Sequence, residues 1–242
     1  MLKVLTQRTE IARARARLRA RGLSFVEPEA VRFGRRVARK LGLTRSVNVG
    51  DGLKSWDVLA TIEFLEHRLA SGATVLDLGA FASEIVPALD HLGFCVSGVD
   101  LDPRLPDMPR GRGIQYEVGD FKHTTFPSDS FSAVTAISVI EHGYEPDALL
   151  AEVARLLKPG GVFVASFDYW PDHLDVGQVR PFNMSWLVFS RDDVADLITL
   201  AGVHGLRPVG ALDTAVPQAA INYAGLDYTF AWLALEKDDG KT

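Results

Sequence analysis

The stretch Val75-Leu76-Asp77-Leu78-Gly79-Ala80-Phe81-Ala82-Ser83 decides how this chain is read. Its apolar start predicts a buried strand that ends at an acidic residue and turns through glycine towards a helix. A turn of this kind brings backbone N–H groups up to a ligand at the head of a helix. The acid stands two residues before the first glycine, and the G-x-G-x-x-G spacing of a dinucleotide site is absent. A carboxylate in that place suits a ligand that carries positive charge near the strand end.

Outward from this stretch, strands and helices alternate. Strands are predicted near 73–78, 94–99, 114–118, 131–137 and 161–167, and helices near 83–92, 147–157 and 191–202. Asp147 is expected to cap a helix whose Leu149, Leu150, Val153, Leu156 and Leu157 share one face, with Pro159-Gly160-Gly161 as its stop. This alternation predicts an α/β fold, a doubly wound, mostly parallel sheet with helices on both faces. Near the end, 206–212 and 227–235 read as two strands with no helix between them.

On the N-terminal side, Ser55 is placed to cap a third helix, carrying Val58, Ile62, Leu65 and Leu69 at helical spacing. Pro28 to Leu41 reads as a second helix, stopped at Gly42. Ile11 to Arg21 is an alternation of Ala and Arg, both strong helix formers. Arg13, Arg17 and Arg21 fall on one side of that helix and Arg15 and Arg19 on the other. So little apolar face remains that the helix is expected to extend from the body or pack lightly. The expected organisation is a basic helical extension over 1–54 followed by one domain over 55–242.

Composition sets the bounds. The 242 residues are 47% hydrophobic and 24% charged, as in ordinary globular proteins, and the apolar runs are strand-sized. Cys95 is the single cysteine, which excludes an internal disulfide and a Cys-based zinc site and fits a reducing compartment, the cytoplasm. No apolar signal segment precedes the first helix. The net charge of −5 conceals an asymmetry: residues 1–45 hold 13 of the 26 Lys and Arg with only Glu10, Glu27 and Glu29, a balance of +10 that leaves −15 for the rest. A solvated helical face is the favoured reading of this arm, with an anionic partner as the alternative.

The chemistry is expected at the carboxyl ends of the strands, where open α/β sheets bind ligands. Asp77 and Gly79 follow the first predicted strand and Asp100-Leu101-Asp102 the second. Gly119-Asp120-Phe121 follows the third, Ser138-Val139-Ile140-Glu141-His142 the fourth and Asp168-Tyr169-Trp170 the fifth. A polar or acidic group at the end of all five strands points to a ligand. Asp100 can accept both hydroxyls of a ribose, Asp120 an adenine amino group, and Phe121 or Leu101 can wall the ring. Asp77 can face an amino-acid end. No basic cluster and no G-x-x-x-x-G-K-[ST] loop is placed to hold phosphates, which favours a nucleoside joined to an amino acid.

With these motifs in this order, the chain resembles the class I S-adenosylmethionine-dependent methyltransferases, in particular the type-11 group. Val75–Ser83, Gly98–Asp102, Gly119–Phe121, Ser130–Val134 with Val139–His142, and Leu156–Gly161 carry the resemblance, which spans about residues 55–235. It implies strand order 3-2-1-4-5-7-6 with the last strand antiparallel, and S-adenosyl-L-methionine as cofactor. It also implies Asp77 and Gly79 at the methionine end, Asp100 at the ribose, and Asp120 and Phe121 at the adenine. Ala80, Phe81, Leu101 and Ser138 complete the expected cofactor set. The usual acid-x-Gly-x-Gly-x-Gly is here Asp77-x-Gly79-x-Phe81-x-Ser83, so a differently shaped turn is expected.

An acceptor hydroxyl must lose a proton to a nearby base, and His142, which follows the fourth predicted strand, is the leading candidate for it. Glu141 and Asp168 are the further catalytic candidates. Tyr169 and Trp170, the long segment 171–190 with Phe182 and Trp186, and Trp56 before the third helix are the candidate acceptor contacts. The six histidines show no metal-ligand spacing. The reading is O-methylation of a small molecule or glycan-type acceptor. An RNA methyltransferase or a non-catalytic nucleic-acid binder using the Arg-rich arm is the alternative, and an NAD(P)-dependent oxidoreductase is disfavoured by the glycine pattern. The arm has no aromatics to stack on single-stranded bases.

Overall fold

The computed structural model describes residues 1–216 and 218–240. Val75, Leu76 and Leu78 are fully buried in β2 (Thr74–Leu78), the central strand that the opening stretch predicted. Parallel neighbours flank it: β3 (Cys95–Asp100) and then β4 (Gln115–Val118) on one side, β5 (Phe131–Ile137) and then β6 (Leu157–Tyr169) on the other. Next to β6 lies β9 (Leu226–Lys237), antiparallel to it from Val162↔Glu236 to Tyr169↔Thr229. Three short strands tile the outer edge of β9: β8 (Ile221–Tyr223), β1 (Leu2–Val4) and β7 (Leu206–Pro208). The order β4-β3-β2-β5-β6-β9 with β7 at the edge is the expected 3-2-1-4-5-7-6, and its last long strand is antiparallel.

The sheet separates two cores. Leu76, Leu78, Val134 and Phe163 point to one face and meet α5 (Pro146–Leu156) and α6 (Arg191–Val203). Val75, Ala133 and Val164 point to the other and meet α1 (Arg8–Ala20), α3 (Ser55–Arg68) and α4 (Ile85–His91). Burial on both faces is why the central strands β2, β5 and β6 are mostly apolar rather than alternating. A third, smaller cluster joins Leu5, Ile11, Trp186, Tyr228 and Phe230 beside β9.

Several expectations are corrected. Residues 1–54 are not simply an appendage, because β1 pairs with β9 inside the sheet and Ile11, Ala14 and Leu18 of α1 are buried. Those three small or aliphatic residues recur one turn apart, a stripe that the arginines between them obscure. Only α2 (Glu29–Lys40) has no buried residue; Phe33 and Val37 on it are exposed. The strand expected over 206–212 ends at Pro208, and the 221–223 hairpin strand was not foreseen. Ser55 and Asp147 lie inside their helices, whose caps are Lys54 and Glu145.

Candidate active site

At the carboxyl end of β2 the chain makes its turn with positive φ at Gly79 (+73°) and Ala82 (+60°). Gly79 is required twice over: a Cβ there would lie 2.4 Å from Val139 Cγ2, and the left-handed backbone itself favours glycine. The Gly79 and Ala80 N–H groups both donate to the Val99 carbonyl, at 2.9 and 3.1 Å. Phe81 keeps an ordinary φ, and its N–H donates to Asp100 Oδ2 at 2.9 Å. The left-handed residues of this turn are therefore Gly79 and Ala82, and neither Phe81 nor Ser83 is one of them. Its far end is anchored at Glu84, which accepts two hydrogen bonds from Arg15 of α1 at 2.6 and 2.8 Å.

Above this turn lies a cavity of about 670 Å³ at the carboxyl ends of β2, β3 and β5. Of the expected cofactor residues, Gly79, Phe81, Asp100, Leu101, Phe121 and Ser138 line it. Asp100 Oδ1 and Oδ2 each accept one backbone N–H, from Asp102 and Phe81. Each oxygen keeps a further lone pair for a ligand hydroxyl. Ser138 holds φ +52°, a left-handed conformation costly for a non-glycine residue, where β5 meets the cavity. Its N–H is shared between the Ser166 carbonyl and hydroxyl.

Other expected residues stand elsewhere. Asp77 is buried below the turn, with Oδ1 accepting from Thr135 at 2.6 Å, and burial pushes its carboxyl up to about 7. Ala80 is packed against Gly98, where a Cβ would come within 2.6 Å of it. Asp120 turns back to accept the Lys122 N–H. Tyr169 is core, its hydroxyl donating to the Thr214 carbonyl at 3.1 Å. Trp56 and Trp170 pack into hydrophobic clusters outside the cavity lining. Trp186 is buried and donates from Nε1 to Asp168 Oδ2 at 2.8 Å. Among the expected acceptor contacts Phe182 does line the cavity; it is 81% exposed, and its ring meets the His142 ring edge-on at 5.2 Å.

Lys54 and His142 line the cavity together with Ser138. Burial and the Lys54 cation lower His142 to about 4, so its imidazole is neutral at physiological pH and a weaker base than an unperturbed histidine. Behind these residues stand three buried carboxyl groups. Asp57 Oδ2 accepts from Ser166 Oγ at 2.8 Å, and burial pushes Asp57 up to about 6. Asp168 Oδ1 lies 4.0 Å from Lys54 Nζ. Glu141, 1% exposed, has no hydrogen bond to either carboxylate oxygen, and burial followed by the nearby Asp168 charge pushes it well above the ordinary carboxylate range. The lining residues Gly50, Asp51 and Met184 were not singled out by sequence. The glycine at 50, with φ +77° and a would-be Cβ 2.7 Å from Val26, was the available signal.

Comparison with known proteins agrees with this geometry at the level of family. Residues 76–165 match a family model described as a methyltransferase domain. A ubiquinone biosynthesis O-methyltransferase of Xanthomonas oryzae pv. oryzae is 32% identical over 119 residues, 46% of this chain and 50% of that protein. The match thus spans about half the length of that curated relative. Among solved structures, the cyclase SpnF gives a TM-score of 0.58 at 15% identity, over 79% of this chain and 85% of that one. The 1,6-didemethyltoxoflavin-N1-methyltransferase of Burkholderia thailandensis, solved with S-adenosylhomocysteine, gives 0.56 at 18% identity, over 75% and 78%. At such identities the structural likeness is one of fold. Residues 76–165 are thus similar to a methyltransferase domain, in a sheet whose strand order is that of the Rossmann-like methyltransferase fold.

Proposed function

We propose that the chain binds S-adenosyl-L-methionine in the 670 Å³ cavity and methylates an oxygen of a small-molecule acceptor, a glycan-type acceptor included. The observation that carries the proposal is Asp100: its carboxylate faces the cavity with one backbone donor on each oxygen and room for a ligand hydroxyl on each. Leu101 and Phe121 would wall the adenine, and the Gly79–Ser83 turn would support the methionine end. When bound, the cofactor supplies a methyl group on a positively charged sulfur. The chain's own task is to place the acceptor in line, exclude water and take the acceptor's proton. Of the candidates for that last role, His142 lines the cavity, whereas Glu141 stands buried behind it with its carboxyl pushed up by burial. His142 then orients the acceptor by accepting a hydrogen bond on its unpartnered Nδ1.

The O-methyltransferase name of the curated relative supports an oxygen acceptor. Use of the Arg-rich arm on RNA has the structure's ion pairs against it: Arg17 and Arg21 pair with Glu63 and Glu66, Arg35 and Arg36 with Glu27 and Glu29. We place the protein in the cytoplasm; among the described residues no helix is long and apolar enough to cross a membrane. Calorimetric titration with S-adenosylhomocysteine is expected to give a one-to-one complex, and NADH none. Binding of NADH instead would replace this reading with the oxidoreductase one.

A further inference from the structure

A surface helix ordinarily turns its apolar side to the core and its charges to water. In α2 the order is reversed. Phe33, Val37 and Leu41 recur one turn apart on the outer side and are exposed, Phe33 at 60% and Leu41 at 67%, and Leu43 follows them, exposed as well. The arginines of the opposite side hold the helix down. Arg32 donates to the Val49 and Gly50 carbonyls at 3.1 and 2.9 Å, Arg35 to Asn48 Oδ1 at 3.1 Å and to Glu27 at 2.8 Å, and Arg39 to the Arg45 carbonyl at 2.8 Å. No residue of α2 is buried, so the outer stripe adds nothing to the core. A run of exposed apolar side chains of this kind marks a contact surface.

The charge around the stripe defines what it meets. Between Glu29 and Asp51 the chain has no acidic residue. The six cations Arg32, Arg35, Arg36, Arg39, Lys40 and Arg45 against Glu27 and Glu29 leave +4 over residues 27–45. Lys40 and Arg45 are exposed and form no ion pair with any described residue. Arg36 lies over the Phe33 ring at 5.8 Å, and with Arg35, Arg39 and Arg104 it lines a cavity of about 190 Å³ to which no acidic side chain contributes. The occupant of this face is therefore apolar against Phe33 and Leu41 and anionic around them. A second copy of the chain would set the same cations against one another. A nucleic acid supplies negative charge but no apolar phase for the two leucines. The boundary of an anionic phospholipid layer supplies both, acyl chains for the stripe and phosphates for the cations.

We infer that α2 docks the protein on the surface of a membrane containing anionic phospholipid, with Phe33, Val37 and Leu41 in the boundary between headgroups and acyl chains and Arg36 and Lys40 beside the lipid phosphates. The contact is peripheral, since among the described residues no helix is long and apolar enough to cross a membrane. The Arg32 bond to Gly50, a residue that lines the candidate cofactor cavity, ties the docking helix to the site. Because α2 lies outside residues 76–165, the inference is independent of the cofactor reading.

Sedimentation of the full chain with vesicles tests it, comparing phosphatidylcholine alone with an equal mixture of phosphatidylcholine and phosphatidylglycerol at low salt. The mixed vesicles are expected to bind at least about tenfold more tightly. Replacing both Phe33→Ser and Leu41→Ser is expected to lower that affinity at least about tenfold through lost apolar burial. Lys40→Glu is expected to lower it about tenfold on mixed vesicles while leaving phosphatidylcholine binding unchanged. All three positions are exposed, so denaturant midpoints are expected to stay at the wild-type value, and the comparison of the two vesicles in the wild type stands without the variants. Equal binding to both vesicles, or none to either, overturns the inference. So does a wild-type dimer, seen by light scattering, that forms without vesicle binding and is abolished by the double substitution, or binding of single-stranded RNA without vesicle binding.

Discussion

Gly79 and Ala82 share a left-handed backbone but not a fate under substitution. Gly79→Ala adds a Cβ 2.4 Å from Val139 Cγ2 on top of the conformational cost. It is expected to destabilise by about 2–4 kcal/mol in denaturant unfolding, from the left-handed penalty and the overpacking together. Ala82→Gly relieves one strain at the expense of chain freedom and is expected to change stability by less than about 1 kcal/mol. Equal effects at the two positions would show that the turn is not built as described. The sequence revealed the strand, the acid and the first glycine of this turn. It did not reveal that the second left-handed residue is an alanine, because short-range spacing does not report φ. For the same reason Asp77, read as a cofactor contact, is a buried neighbour of Thr135: alternation along β2 turns its side chain into the core between sheet and α3.

The element that sequence read least well is α1. Five arginines in nine residues look like a solvated face, and four of them differ in nothing visible from Arg15. Yet Arg15 is 7% exposed and donates to Glu84 through both terminal nitrogens, to Ser24 and Ser55, and to the Asp51 carbonyl. Glu84 in turn accepts the Phe25 and Val26 N–H groups. This one pair fastens α1, the 24–26 segment and the 51–55 loop to the end of the β2 turn. Only tertiary structure could single it out, since its partner is 69 residues away. Arg15→Ala strands a buried carboxylate and is expected to cost about 3–5 kcal/mol. Arg13→Ala and Arg19→Ala, at two exposed positions of the helix, are expected to stay within about 0.5 kcal/mol of wild type. Denaturant midpoints that do not separate Arg15 from the other two would contradict the assignment. By contrast α3, α5 and α6 were legible because their apolar residues recur at helical spacing with nothing to mask them.

At the scale of the molecule, buried titratable groups gather under the cavity, and their signs make stability depend on pH in a defined way. Burial holds the Asp77 carboxyl at about 7 against an ordinary 3.8, so the folded chain keeps a proton that the unfolded chain releases. Its contribution is fully present below pH 3.8 and is lost as pH rises towards 7, at up to about 1.4 kcal/mol per pH unit. Asp57, at about 6, acts in the same direction over a narrower window. His142 acts oppositely: lowered from 6.5 to about 4, it contributes stability above 6.5 that is lost as pH falls. Asp77→Asn should therefore gain on wild type as pH is raised from about 4 to about 7, and His142→Phe should gain as pH is lowered through the same range. Unfolding differences that do not vary with pH would remove these groups from the account. The alternation of elements gave a mostly parallel sheet and the family resemblance implied its order, whereas the clustering of Asp57, Glu141 and Asp168 behind Lys54 needed the strands to be brought side by side. The claim on which all of this depends is that Asp100 anchors a bound nucleoside. Calorimetric titration of the wild type and of a folded Asp100→Ala variant with S-adenosylhomocysteine tests it most directly. A one-to-one complex weakened at least about tenfold in the variant is the predicted result, from the loss of the two open acceptor positions; equal affinity in the two proteins, or no binding by the wild type, would contradict it.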